Sequence, residues 1–380
     1  MKILIIHNKY QTKNIGGEDI VFFNELNALT ERLGDDNIFS YDTSNDNLSK
    51  IKLLFNIWFS LKHYKAVFDL VKANNIDIVH VHNFFPMLTP SVFKAAKDAG
   101  AKVIHTLHNY RWWCISGIFY RKGYGICEAC LENKLTSIVH KCYRGSVIQS
   151  IFAQMSFLFY KYYKPFHLID SYFVLTSFQR EKLIHIGLDA TKIIIKPNFI
   201  VDYPLDNDIK SGYIFVGRLE ESKGIEILIN VWKELGNEYK LTVVGTGELE
   251  VKLMSQKLSS NISFLGKKSH EETLRLISRS KYLIQPSLWY ETFGLTIIEA
   301  MSLGIPVIGF EIGTRPDFII HNVNGFLCEP QTLKSTIIMS ENISNYNFLS
   351  KNAIIDSKQY SEDIIINKQI EIYGKIVNSY

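Results

Sequence analysis

The chain has 380 residues, 47% of them hydrophobic and 21% charged, with a formal net charge of +4. That balance excludes a disordered or fibrous protein and leaves enough apolar side chains for more than one core. No run of about 18 uninterrupted apolar residues occurs, so no membrane-spanning helix is expected.

The chain opens on KILIIH, a short apolar run that fits a buried first strand and is too short for a signal peptide. After Gly16-Gly17, the segment GGEDIVFFNELNALTERLG places Val21, Leu26, Leu29 and Leu33 near helical spacing. DIVHVHN (77–83) and KVIHTLHN (102–109) are further strands, separated by a helical pattern near 90–99. SYFVLTS and KIIIKPN continue the series. The polar segment DYPLDNDIKSG (202–212) then separates a second series, YIFVGRL, KLTVVG, ISFLG, KYLIQPS and IPVIGF. Continuous apolar strands alternating with helices predict parallel sheets joined by right-handed crossovers. The expectation is an α/β chain of two Rossmann-like lobes with parallel sheets facing a cleft. The first lobe spans 1–200 and carries a cysteine loop at 111–145; a closing helix over 361–380, with Ser361 as its N-cap, completes it. The second lobe spans 208–360.

Charge divides along the same line. Residues 1–200 hold 24 Lys and Arg against 16 Asp and Glu, and the remainder holds 18 against 22. The first lobe is therefore the one suited to an anionic partner. Between Glu132 and Asp170 there is no acidic residue, while Lys134, Lys141, Arg144, Lys161 and Lys164 surround the aromatic-rich stretch VIQSIFAQMSFLFYKYYKPF. LSKIKLLFNIWFSLKHYKAVF (48–68) also lacks acids. Basic, aromatic helices of this kind suit an anionic bilayer surface; a core helix with solvated lysines is the alternative.

Ligands of open parallel sheets bind beyond the carboxyl ends of the strands. Three such places carry anion-binding chemistry. Gly16-Gly17 lets backbone N–H groups approach a substrate; FVGRLEESKG supplies Arg218 and Lys223; ETFGLTIIEA sets Phe293, Gly294 and Leu295 at a helix start. Two glutamates, Glu291 and Glu299, flank that start, and a carboxylate in an apolar setting needs polar company. Gly245-x-Gly247 lacks the third glycine of the dinucleotide fingerprint and gives no NAD site.

Four of the five cysteines, Cys114, Cys127, Cys130 and Cys142, fall in one loop. A C-x-x-C pair with a cysteine on either side suits a tetrahedral structural zinc; reduced bystander thiols or a disulfide pair are the alternatives. Cys328 stands apart. Cysteine usage without evident pairing fits a reducing, cytoplasmic setting.

Taken in order, FVGRLEESKG, GTGELE, FLG and ETFGLTIIEAMSLGIPVIG resemble the donor lobe of retaining GT-B glycosyltransferases of family 4. GGED after the first strand and HTLHNYRWWC resemble the acceptor lobe, so the likeness covers almost the whole chain. The resemblance implies a nucleotide-sugar donor, UDP- or GDP-linked, with Arg218 and Lys223 on the diphosphate and amides near Gly294 and Leu295 assisting. It implies that Glu291 meets sugar hydroxyls, that Glu299 meets the ribose hydroxyls and that His108 lies near the donor sugar. It implies no catalytic metal, and a closing helix packed on the first lobe. The acceptor expected is a glycan or lipid-linked oligosaccharide of bacterial surface polysaccharide, met at the inner face of the cytoplasmic membrane. A nucleotide-sugar epimerase or hydrolase, or a non-catalytic zinc-loop module for nucleic acid, are the other classes; no nucleic-acid partner is expected on the preferred reading.

Overall fold

A computed structural model describes residues 1–9, 16–47, 57–201, 203, 210–256 and 259–378. The apolar stretch at 48–56 and most of the linker expected at 202–212 (202 and 204–209) lie outside the described residues. The chain forms two compact units. The first comprises Met1–Gly117, Glu128–Phe199 and Glu362–Tyr380; the second comprises Ile118–Cys127 and Ile200–Ser361. The cysteine loop, read from sequence as part of the first lobe throughout, thus gives its middle ten residues to the second unit.

In the first unit, β1 (Ile3–Lys9), β2 (Ile38–Ser44), β3 (Ile78–Asn83) and β4 (Lys102–Thr106) belong to one sheet. β5 (Tyr120–Arg121) and β6 (Gly125–Ile126) form a hairpin that belongs to the second unit. β7 (Ser171–Val174) and β8 (Ile193–Ile195) complete the first sheet, whose order is β2-β1-β3-β4-β7-β8 with every pairing parallel. Its helices include α1 (Gly17–Leu33), α2 (Leu61–Asn74), α3 (Ser91–Asp98), α4 (Val147–Tyr162) and α5 (Ser177–His185). The carboxylate of Asp19 accepts from the Gly16 amide at 2.8 Å and so satisfies an open donor at the start of α1. The core joins Ile3, Ile5, Phe22, Leu29, Ile104 and Phe173 to Ile366 and Tyr373 of the closing helix Glu362–Asn378. Arg32, near the end of α1, ties the start of that helix down through Glu362 at 2.9 Å and Asp363 at 2.5 Å.

The second unit holds β9 (Tyr213–Val216), β10 (Leu241–Val244), β11 (Ile262–Phe264), β12 (Tyr282–Gln285), β13 (Val307–Phe310) and β14 (Gly325–Cys328). They pair in parallel in the order β11-β10-β9-β12-β13-β14. Around them lie α6 (Ile225–Glu234), α7 (His270–Ser278), α8 (Leu295–Ser302), α9 (Leu333–Glu341) and α10 (Tyr346–Ser357). Phe215, Leu228, Trp232, Ile284, Ile308 and Phe326 fill its core. Strand order reverses between β9 and β12, and the crevice above their carboxyl ends is where such a sheet binds ligands. Loops after those two strands carry Arg218, Lys223 and Glu291.

Candidate functional site

The second unit assembles its site from two loops pressed together. Behind β9, residues Glu221–Lys223 make one helical turn that ends at Gly224, with φ +71°. A Cβ at Gly224 would lie 1.9 Å from the carbonyl oxygen of Pro286, in the loop after β12. Only glycine lets these backbones approach so closely. The Leu288 amide then donates to the carbonyl of Ser222 at 2.8 Å, and Lys223 is held over the second loop.

Lys223 Nζ lies 2.6 Å from Glu291 Oε1 and 5.2 Å from the centre of the Trp289 ring. Ser287 Oγ lies 2.6 Å from the same carboxylate oxygen. Beneath them Arg315, fully buried, donates from Nε to the carbonyl of Phe310 at 2.7 Å and from Nη2 to the carbonyl of Ser287 at 2.7 Å. Burial pushes the Glu291 carboxyl up, but the charges of Lys223 and Arg315 outweigh it and hold the group down at about 2. Burial lowers the Arg315 guanidinium to about 10, against the pull of Glu291. Glu291 is therefore a fixed anion, 5% exposed, with its Oε1 engaged by Lys223 and Ser287.

Gly294 follows at φ +102° and caps α8. A side chain there would crowd Ile297, 3.0 Å away, and stand 3.6 Å from Glu291 Oε2. The first amides of α8, beginning at Leu295, have no acceptor within the helix and form a donor-rich, electropositive end. Phe293 contributes backbone only: its ring is buried against Phe318 and Tyr360, 5.1 and 5.9 Å between centres. Glu299, one turn into α8, takes His270 Nε2 at 2.8 Å, and this hydrogen bond raises the imidazole above its ordinary value. Arg218 is exposed and lies 2.6 Å from Glu220 Oε1. The β5–β6 hairpin braces the Lys223 turn, with Tyr120 OH and the Gly123 amide donating to Glu221 Oε1 at 2.8 and 2.7 Å.

The first unit holds the other expected residues. Gly16 and Gly17 start α1 in ordinary backbone geometry, Gly16 at φ −92°. His108 is buried at the end of the β4 segment, its Nε2 2.9 Å from His82 Nδ1. Behind His82 lies a network that the sequence reading passed over. Glu25, fully buried on α1, receives Lys196 Nζ on Oε2. Its Oε1 takes Gln369 Nε2 at 2.6 Å and lies 3.2 Å from both His80 and His82. Burial pushes the Glu25 carboxyl up, yet Lys196 and the histidines hold it well below the carboxylate range. The signal was present in sequence: Glu25 interrupts the apolar stripe of α1, and HVH puts two histidines on one face of a buried strand.

The loop cysteines form no disulfide. Cys114 and Cys130 are buried, Cys127 and Cys142 half-buried; Cys114 Sγ contacts Ser116 Oγ at 3.0 Å and Cys130 Sγ contacts Thr136 Oγ1 at 3.7 Å. Among the described residues, the trio of metal-ligating side chains whose ligand atoms lie within 4.8 Å of one another is Glu25, His80 and His82. Lys196 already supplies the positive charge there.

The Glu291 pairing fixes a pH dependence. A carboxyl depressed from 4.5 to about 2 contributes stability that is complete above pH 4.5 and is lost as pH falls through 2. Melting curves of the wild type and Glu291→Gln should converge across that window, and a gap independent of pH would show that the ion pair contributes nothing.

Comparison with known proteins bears on the family and the fold. Residues 49–202 match the profile described as Glycosyltransferase Family 4, and residues 206–339 match Glycosyl transferases group 1. A Klebsiella pneumoniae protein, "Uncharacterized 41.2 kDa protein in cps region", is 22% identical over 336 residues, 86% of this chain and 84% of that one. "Uncharacterized glycosyltransferase MJ1178" of Methanocaldococcus jannaschii is 30% identical over 43% of this chain, and the "Amylovoran biosynthesis glycosyltransferase AmsK" of Erwinia amylovora 28% identical over 39%. The chain spans less than half the length of these last two relatives, 48% and 41%. Among solved structures, a lipopolysaccharide outer core galactosyltransferase, WaaB, superposes with a TM-score of 0.67 at 18% identity, covering 99% of this chain and all of that one. The Anabaena protein Alr3699/HepE in complex with UDP-glucose gives 0.65 at 17% identity, covering 98% and 99%. Both halves of the chain therefore carry glycosyltransferase-family domains, on a GT-B frame.

Proposed function

We propose that the chain is a retaining glycosyltransferase that moves a sugar from a nucleotide-sugar donor to a glycan acceptor in surface polysaccharide biosynthesis. The observation that carries this reading is the Lys223–Glu291–Arg315 constellation at the switch point of the second sheet, beside the glycine-capped start of α8. The Anabaena neighbour in complex with UDP-glucose and the relatives named for a cps region and for amylovoran biosynthesis support it.

The chemistry follows from charge. Breaking the bond between sugar and diphosphate leaves negative charge on the phosphate, which Arg218, Lys223 and the α8 amides stabilise. An ammonium has three donors, so Lys223 can keep Glu291 and still reach a phosphate oxygen. Glu291, held ionised, accepts from sugar hydroxyls, and Glu299 accepts from the ribose. His108, buried in the first unit, is the further residue proposed to act on the sugar. Transfer on one face of the sugar, with the departing phosphate taking the acceptor's proton, needs neither a protein nucleophile nor a catalytic metal. Transfer from UDP- and GDP-sugars to a lipid-linked oligosaccharide should fall on the order of a hundredfold or more in Arg218→Ala, Lys223→Ala and Glu291→Gln. Undiminished transfer by Glu291→Gln overturns the assignment, and donor consumption without acceptor makes the protein a hydrolase or epimerase.

The acceptor side is read as meeting an anionic bilayer at the cytoplasmic face of the membrane. No described helix is long and apolar enough to cross one. On α4, however, Ile148, Phe152, Met155, Phe159 and Tyr162 are exposed at spacings of four and three, which aligns them on one face. Exposed Lys141, Arg144, Lys161 and Lys164 flank that stripe. Vesicles containing phosphatidylglycerol should retain the protein, and Phe152→Ser with Phe159→Ser should release it. Equal binding to neutral vesicles removes the electrostatic part of the reading.

A structural zinc on Cys114, Cys127, Cys130 and Cys142 is the accompanying proposal and rests on their spacing in the sequence, since among the described residues their sulfurs do not form a group within 4.8 Å as Glu25, His80 and His82 do. Elemental analysis of purified protein should give about one zinc per chain, lost in Cys127→Ser with Cys130→Ser; metal-free protein that is folded overturns it.

A further inference from the structure

The first unit has a recess that cations line and acids do not. Arg111 reaches it from the segment after β4, Lys134 from the cysteine loop and Lys161 from the end of α4; among the described residues no carboxylate lines it. Arg111 and Lys134 are anchored on backbone rather than on an opposite charge. Arg111 Nη1 donates to the carbonyl of Ile115 at 3.0 Å, with its guanidinium 5.0 Å from the centre of the Phe85 ring. Lys134 Nζ donates to the carbonyl of Trp113 at 3.2 Å, which leaves the ammonium further donors. Burial lowers Lys134 below its ordinary value, and the charge of Lys161 lowers it further, while Cys130 and Cys114 act in the opposite sense. Like charges gathered around a half-buried recess repel one another, and an anion between them removes the repulsion. The remaining walls are apolar: Trp112 and Trp113 pack on Phe166 with ring centres 5.3 and 6.0 Å away, and Leu158 of α4 lies at the side. Leu158 is itself exposed, so it belongs both to the recess and to the apolar surface that α4 shows to solvent.

We propose that Arg111, Lys134 and Lys161 form a binding site for the diphosphate group of a lipid, whose chain lies along the exposed apolar row of α4. The charge decides between this and a diffuse attraction to an anionic bilayer. Lys141, Arg144 and Lys164 are exposed and need no recess to meet a charged surface. Cations that converge from separate segments on a single recess suit a headgroup carrying more than one charge. A phosphodiester lipid brings a single negative charge, whereas a terminal phosphate brings about two. Arg111 offers a planar fork to adjacent oxygens, and the lysines supply point charges on either side. Arg111 and Trp112 also line the recess in which His108 lies. A sugar joined to such a diphosphate therefore has His108 in the adjoining recess; that placement rests on the glycosyltransferase reading, whereas the binding of a lipid diphosphate does not.

Flotation of the full-length chain with vesicles tests the site without any assay of transfer. Phosphatidylcholine vesicles carrying a polyprenyl diphosphate are compared with phosphatidylcholine vesicles carrying phosphatidylglycerol at the same surface charge. The diphosphate vesicles should bind on the order of tenfold tighter, the effect of a hydrogen bond to a charged group. Lys161→Gln, a change at an exposed side chain, should remove that preference, and Lys134→Gln should do the same. Lys164→Gln removes an equal charge outside the recess and should weaken both kinds of vesicle alike while the preference stays. Equal binding at matched charge overturns the proposal, and so does a preference that survives Lys161→Gln. Inorganic pyrophosphate separates the sources of the ligand: it should compete only at concentrations far above those of the prenyl diphosphate, and equal potency makes the ligand a soluble phosphate and overturns the lipid assignment. A chain that shows the vesicle preference but transfers no sugar sinks the proposed reaction and leaves this site standing.

Discussion

A carboxylate at 5% exposure stays charged only if cations are built around it, and Glu291 organises the second unit on that condition. One cation comes from each side. Lys223 arrives on a turn that depends on Gly224 having no Cβ, and Arg315 arrives from below with its guanidinium grafted onto backbone carbonyls. Those carbonyls belong to Ser287, Trp289 and Phe310, the first two within four residues of Glu291. Arg315 thus fixes the loop and neutralises its acid at once. Buried ion pairs add little to stability, because desolvation consumes most of the attraction. Their presence at a sheet's switch point is consistent with the polar ligand proposed for that site.

The first unit solves a similar problem with a different outcome. Glu25 is buried still more completely and is paired with Lys196, but its remaining capacity is taken by Gln369 and two histidines. That network runs outward through imidazoles, which can pass on a proton pattern without carrying charge. Glu291 keeps its charge beside an ammonium and a hydroxyl; Glu25 uses its own to hold a lysine, a glutamine and two imidazoles in place. Both carboxylates hold an ammonium; the difference lies in the remaining partners, a hydroxyl at Glu291 and an amide with two ring nitrogens at Glu25.

Much of this was legible in the sequence. Runs such as YLIQ and VIGF are apolar on both faces and declare themselves as central parallel strands. β2 and β14 escaped notice. β2 is an edge strand with IFSYDTS alternating toward solvent, and β14 is a four-residue edge strand behind a turn. Lys223 and Glu291 were each singled out in the sequence, but not as partners: the two lie 68 positions apart and only the strand order brings them together. Arg315 was not legible, because a lone arginine beside a proline looks like solvated surface until its carbonyl acceptors are known. The histidines of β3 drew no functional reading; their setting depends on Glu25, Lys196 and Gln369, which come from three distant segments.

The hairpin within the cysteine loop shows why a boundary drawn on composition misses part of a site. Residues Ile118–Cys127 sit in the first half of the sequence, yet their hydrogen bonds run to Glu221, in the turn that carries Lys223. Lys122 reaches Glu248, on the neighbouring loop, at 2.8 Å. Burial, together with the nearby Glu221 carboxylate, pushes the Tyr120 phenol well above its ordinary range, so it remains a donor across the whole physiological window. A turn of three residues has little packing of its own with which to hold an ammonium against a carboxylate. The hairpin supplies that stiffness from outside the sheet, and so a segment from the first half of the sequence completes the Lys223 turn of the second unit.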